Sequence, residues 1–248
     1  MTKPRRWLAT LFLLLPLATH AGNGLPAGFV YLRDAAPGVM QDMRYATPNN
    51  FTGHPLPGYA GECVLRRDVA RALAKVEADL ARQNLTLKTY DCYRPARATL
   101  AMWRWATDGA RDGVKRFYPT LDKRILFSGY ISARSAHSTG TAVDLTLVRL
   151  PVPPAAPFDA RAAYGSCAGP ADKRAPDNSI DMGTGFDCFD ARSHTASRAI
   201  SPAQRRWRDV LGAAMGKHGF KNYFREWWHF SYGPQPKQVY DFPIPARR

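Results

Sequence analysis

The stretch Ser135–Leu147 reads SAHSTGTAVDLTL, and its second half sets the fold class. From Thr141 the chain alternates: Val143, Leu145 and Leu147 face one way, Ala142, Asp144 and Thr146 the other. A period of two marks a strand with unlike faces. Working outward, Arg66–Gln83 carries Val69, Leu73, Val76 and Leu80 at i, i+4, i+7 and i+11, the apolar stripe of a helix. Leu85–Tyr93 (LTLKTYDCY) reads as a strand that Arg94-Pro95 ends, and Ala96–Thr107 as a second helix. Ser201-Pro202-Ala203-Gln204 supplies an N-cap, a proline at the first helical position and a capping-box glutamine. That helix should bury Trp207, Leu211, Ala214 and Met215 and stop at Gly219. Phe220–Tyr232 reads as paired aromatic strands, and Asp42–Phe51 (DMRYATPNNF) as strand then turn. Helices and strands mix without strict βαβ alternation, so the expected class is α+β.

The chain has 248 residues, 45% hydrophobic and 12% aromatic, which excludes a disordered or collagen-like protein. Length alone allows one large domain or two small ones. The net charge of +15 is dispersed, with no basic run interleaved with aromatics, so nucleic acid is not an expected partner. The basic excess suits either weak attraction to anionic envelope polymers or a merely solvated surface.

Residues 1–21 read as a signal peptide: Lys3, Arg5 and Arg6 precede the apolar Trp7–Ala18, and Thr19-His20-Ala21 offers small residues at the cleavage positions. The apolar run is short of the ~20 residues of a spanning helix, and no later segment qualifies, so no membrane span is expected after cleavage. The mature chain, 22–248, is expected to be exported, periplasmic or secreted. Export bears on Cys63, Cys92, Cys167 and Cys188, since disulfides persist in oxidising compartments. Three pairings exist in principle. Cys63–Cys92 with Cys167–Cys188 is favoured, because each joins segments close in sequence.

Two histidines keep unusual company. His137 stands seven residues before Asp144, with Gly140 between them to let the chain turn back. His229 ends Glu226-Trp227-Trp228-His229. Two imidazoles and a carboxylate make a His₂Asp zinc site with one open position, the mark of a catalytic ion. On spacing alone, a hydrogen-bonded histidine is the default for His137, and an aromatic strand with an ion-paired glutamate competes for the second segment. Glu226 and His229 would share a face on a helix. In a strand they need a bulge or a strand start to converge.

The combination S-x-H-x-x-G-x-A-x-D with E-W-W-H resembles the D-alanyl-D-alanine dipeptidases, zinc enzymes whose fold includes D-Ala-D-Ala carboxypeptidases and the hedgehog domain. Further matches are Asp42–Gly53, Tyr93-Arg94-Pro95, Phe117-Tyr118-Pro119, Met182-Gly183 with Phe186-Asp187, and Tyr240–Pro243 (YDFP), in family order over nearly the whole mature chain. The resemblance implies one domain, a central and mainly antiparallel sheet with helices packed on it. It implies one zinc ion on His137, Asp144 and His229, Glu226 as general base, and Arg94 stabilising the oxyanion. It implies Asp187 and Tyr45 at the free amino terminus of the D-Ala-D-Ala substrate, and Ser135 near the metal. Unaided, Arg94 reads as a surface residue before a proline turn, Asp187 as a turn residue, Tyr45 as a core ring and Ser135 as a cap.

The Pro-rich excursion between Leu147 and Met182 is longer than the family leads one to expect. Its position between Asp144 and Asp187 suggests that it reshapes the pocket rim. Two other readings stand beside the dipeptidase: a D,D-carboxypeptidase or L,D-endopeptidase on longer muropeptides, and a zinc-containing cell-wall binding module without turnover. A pure binder has no use for Glu226 and Arg94.

Overall fold

The computed structural model describes residues 24–110, 113–126 and 129–247, so the signal peptide expected over residues 1–21 lies outside the described residues. The elements run β1 (Phe29–Tyr31), α1 (Leu32–Ala35), β2 (Met40–Gln41), β3 (Val64–Arg66), α2 (Arg67–Ala81), β4 (Leu85–Asp91) and α3 (Ala96–Thr107). After a loop-rich stretch come β5 (Ala142–Arg149), α4 (Pro202–Lys217), β6 (Phe220–Tyr223) and β7 (Glu226–Tyr232). Five strands form one sheet in the order β2-β4-β5-β7-β6, antiparallel except for β2 beside β4. β1 and β3 make a separate antiparallel pair. The α+β class, with a mainly antiparallel sheet, is what the sequence led us to expect.

Local signals explain the helices. In α2 the stripe of Val69, Leu73, Val76 and Leu80 is wholly buried, each side chain contributing about 1.5–3 kcal/mol by leaving water. α4 begins with the expected capping box, Ser201 and Gln204 each accepting from the other's backbone N–H. Gly219, at φ +89°, takes the left-handed turn that ends it. Leu211 and Met215 are fully buried, whereas Trp207 and Ala214 pack on the core edge.

One expectation fails. Asp42–Phe51 is not a strand entering a turn: β2 stops at Gln41, and Arg44–Ala46 coils into a 3-10 turn. The buried Arg44 draws the chain off the ladder by pairing with Asp42 and Asp177, and Asn50 then closes the loop by donating to the carbonyls of Thr47 and His54. Both disulfides pair as favoured, Cys63–Cys92 and Cys167–Cys188. The first ties the segment entering β3 to the residue that follows β4. Among the described residues, no helix is long and apolar enough to cross a membrane.

Candidate active site

The site is built on the middle of the sheet. Asp144 lies on β5, and the antiparallel register sets it directly opposite His229 on β7. His137 arrives from a 3-10 turn, Ala136–Thr139, whose N-cap is Ser135: its Oγ accepts from the His137 N–H at 3.2 Å. Gly140 ends that turn at φ +75°, and a Cβ there would lie 2.4 Å from the Phe29 ring. Backbone and space therefore both require glycine, which returns the chain into β5 with His137 and Asp144 facing each other.

The three ligand atoms form a nearly equilateral triangle. His137 Nε2 is 3.1 Å from His229 Nδ1 and 3.2 Å from Asp144 Oδ1, and His229 Nδ1 is 3.0 Å from Asp144 Oδ1. Ligands at zinc bond lengths in tetrahedral array stand about 3.3 Å apart, so the donor set fits such an ion. His137 Nδ1 is 2.8 Å from the Cys92 carbonyl. As the donor there, it fixes the tautomer that turns the Nε2 lone pair inward. Burial opposes ionisation of Asp144, but His137 and His229 outweigh it and hold the carboxyl well below the usual range.

Glu226 begins β7. The register shift between Asn222 and Tyr223 brings it round, so that Oε2 is 3.7 Å from His229 Nδ1. Asn222 holds this arrangement by donating to the carbonyls of both Glu226 and His229 at 3.0 Å. Between them, Trp227 and Trp228 are buried, Trp227 donating to Thr184 Oγ1. The irregular strand start resolves the geometry that spacing alone left open. Burial, assisted by the charges of Asp144 and Asp187, pushes the Glu226 carboxyl up to about 8 in the metal-free protein. A cation on the triangle would draw it down again.

Arg94 follows β4 and is gripped by Asp91, whose Oδ2 accepts from Nε at 2.9 Å and Nη2 at 2.7 Å. Its guanidinium lies 5.0 Å over the Tyr45 ring. Burial acts against the charge, but Asp91 more than compensates, so Arg94 stays cationic. Tyr45, in the turn after β2, donates to Asp187 Oδ2 at 2.5 Å. Asp187 takes the left-handed backbone at φ +57°, and burial pushes its carboxyl up to about 7.

His137, Asp144, His229, Glu226, Arg94, Asp187, Tyr45 and Ser135 all line one cavity of about 470 Å³, so every residue singled out in the sequence meets there. None of residues 148–181 lines it, so the excursion packs behind the site and does not reshape its rim. The sequence reading missed Asp91, fully buried, which also accepts from Tyr59 and lies 3.4 Å from His137 Nδ1. An acidic residue in a strand three positions before an arginine was its only signal. The YDFP segment braces the other side, the Tyr240 N–H donating to the Ser138 carbonyl next to His137.

The family profile for D-ala-D-ala dipeptidases (Peptidase M15) matches residues 26–152 and 173–246. The chain is 34% identical over 222 residues to the D-alanyl-D-alanine dipeptidase of Enterococcus faecium, covering 88% of this chain and 98% of that protein. The Streptomyces coelicolor dipeptidase is 33% identical over 221 residues (87% and 98% of the two chains), and that of Escherichia coli 31% over 194 residues (78% and 79%). Fold, cavity and near full-length similarity agree: this chain belongs to the Peptidase M15 family of D-ala-D-ala dipeptidases.

Proposed function

We propose that this chain hydrolyses D-Ala-D-Ala to two D-alanines in the cell envelope, with one zinc ion held by His137, Asp144 and His229. The observation that carries the reading is the convergence of Glu226, Arg94 and the Tyr45–Asp187 pair on the cavity that contains the ligand triangle. The relatives' shared name supplies the substrate. When bound, zinc supplies Lewis acidity, polarising the scissile carbonyl and bringing the pKa of a water towards ~7.

The chain's own residues do the rest. Glu226 takes a proton from the attacking water and passes it to the leaving D-alanine nitrogen. Charge developing on the carbonyl oxygen meets the guanidinium of Arg94, held in advance by Asp91, an arrangement that lowers such barriers by about 3 kcal/mol. Asp187, steadied by Tyr45, accepts the substrate ammonium. An acylated amine would leave that buried carboxylate unpaired, which restricts the reaction to free dipeptides. Ser135, at the cavity wall beside His137, contacts the substrate near the metal. The two disulfides and the basic, then apolar leader support an exported protein that recycles D-Ala-D-Ala from peptidoglycan.

The test is D-alanine release by the purified mature chain from D-Ala-D-Ala and from its N-acetylated form, with and without a chelator. Chelator-sensitive hydrolysis of the free dipeptide alone is expected. Equal hydrolysis of the acetylated form would move the protein to the carboxypeptidase or endopeptidase side. No release from either, with zinc bound, would leave a binding module and overturn the reading.

A further inference from the structure

The family match breaks between residues 152 and 173, and the chain segment in that gap carries Cys167. We propose that the excursion is a clamp that positions the Tyr45–Asp187 pair, and so sets the preference for a free amine. This rests on the reading of Asp187 as the partner of the substrate ammonium.

Two independent tethers support it. The first lies behind Asp187. Cys188, the next residue, is wholly buried and disulfide-bonded to Cys167. The backbone bonds continue the seam: Gly185 N–H donates to the Cys167 carbonyl at 2.8 Å, and Cys167 N–H to the Arg116 carbonyl at 2.9 Å. Phe189 N–H reaches the Phe117 carbonyl at 2.7 Å. The left-handed Asp187 is thus fixed on both sides, a conformation that a side-chain-bearing residue keeps only when its neighbours hold it.

The second tether acts through Tyr45. Asp177, on the returning limb of the excursion, accepts from Arg44 Nη2 and Tyr90 Oη, each at 2.7 Å, and pairs with Lys88. Arg44 opens the turn whose next residue is Tyr45, the donor to Asp187. Tyr90 in turn stacks on Phe186, immediately before Asp187, with centroids 4.6 Å apart. Both members of the pair are therefore held by a segment that contributes nothing to the cavity wall. Its residues are positioning residues.

Cys167→Ser/Cys188→Ser and, separately, Asp177→Asn (which keeps the disulfide) test the clamp beside the full wild-type chain. Zinc content and a thermal melt establish that each variant is folded and loaded. In both variants, KM for D-Ala-D-Ala should rise about tenfold while kcat changes less than threefold, and the preference for the free over the acetylated dipeptide should shrink by a similar factor. Hydrogen exchange over residues 183–190 should quicken in the double variant, with β5 and β7 unchanged. Folded variants with wild-type KM and wild-type exchange there would overturn the clamp. A wild-type chain that does not distinguish the two substrates would instead refute the reading of Asp187. In that case the exchange measurement still decides whether the excursion fixes the loop.

Discussion

Asp144 and His229 face each other across one rung of the β5–β7 ladder, Oδ1 and Nδ1 3.0 Å apart. Two of the three proposed ligands are thus spaced by sheet register, which fixes side chains more precisely than a loop does. His137 completes the set from a turn closed at both ends, by Ser135 and by Gly140.

Glu226 carries the proton in the proposed chemistry. Glu226→Gln should retain one zinc per chain and lose roughly 10²–10⁴-fold in kcat. Metal analysis run beside D-alanine release checks this, and wild-type turnover would remove Glu226 as the base.

His229→Ala should fail to retain the ion after gel filtration, and readdition of zinc should not restore activity. The wild-type chain, stripped by a chelator, should melt at a lower temperature and recover both melt and activity with zinc, because ligand binding stabilises only the folded state. A melt unaffected by stripping would count against the triangle as a metal site.

The Asp187 carboxyl, raised by burial to about 7, keeps its proton below that pH. Pairing with the substrate ammonium needs the ionised form. In the zinc-loaded chain a cation beside Asp144 would bring the Asp187 carboxyl below that value, so KM for D-Ala-D-Ala should fall as pH rises through an acidic titration and level off before neutrality. Stability runs the other way. A raised carboxyl pKa contributes stability that is complete below the unfolded value and lost as pH rises through about 7. Metal-free protein should be more stable at pH 5 than at pH 8 in urea titrations. Asp187→Asn should flatten the KM profile and make the stability profile shallower, the buried Glu226 carboxyl supplying the remaining slope.

Gly140→Ala should destabilise the chain by about 2–4 kcal/mol, since the new Cβ meets Phe29 and the backbone stays left-handed. Denaturant unfolding measures the loss, and zinc affinity should fall with it because His137 hangs on that turn.

What could be read in the sequence was what neighbours in the chain decide. The stripe of α2, the capping box of α4 and the alternation of β5 rest on contacts a few residues long, and each element formed as expected. The ligand triangle was legible through motif resemblance, since spacing does not reveal that β5 pairs with β7. Asp91 escaped notice because its work is done with Arg94, Tyr59 and His137, which only the packed sheet brings round it. The turn at Arg44–Ala46 was misread for a like reason: Asp177, which helps to draw Arg44 aside, lies 133 residues further on. The placement of the excursion behind the cavity likewise depends on Asp177 finding Arg44, Lys88 and Tyr90, contacts that the expected Cys167–Cys188 pairing does not by itself reveal.

β7 is the last strand in the chain, yet it fills an interior place between β5 and β6. His229 meets Asp144 across 85 residues of chain and His137 across 92. The proposed donor set is therefore incomplete until β7 has been made and zipped into that slot, so the full triangle would be offered to an ion by a finished sheet and not by a nascent chain. A chain stalled short of Glu226 would present the bare edge of β5, open to pairing with other chains.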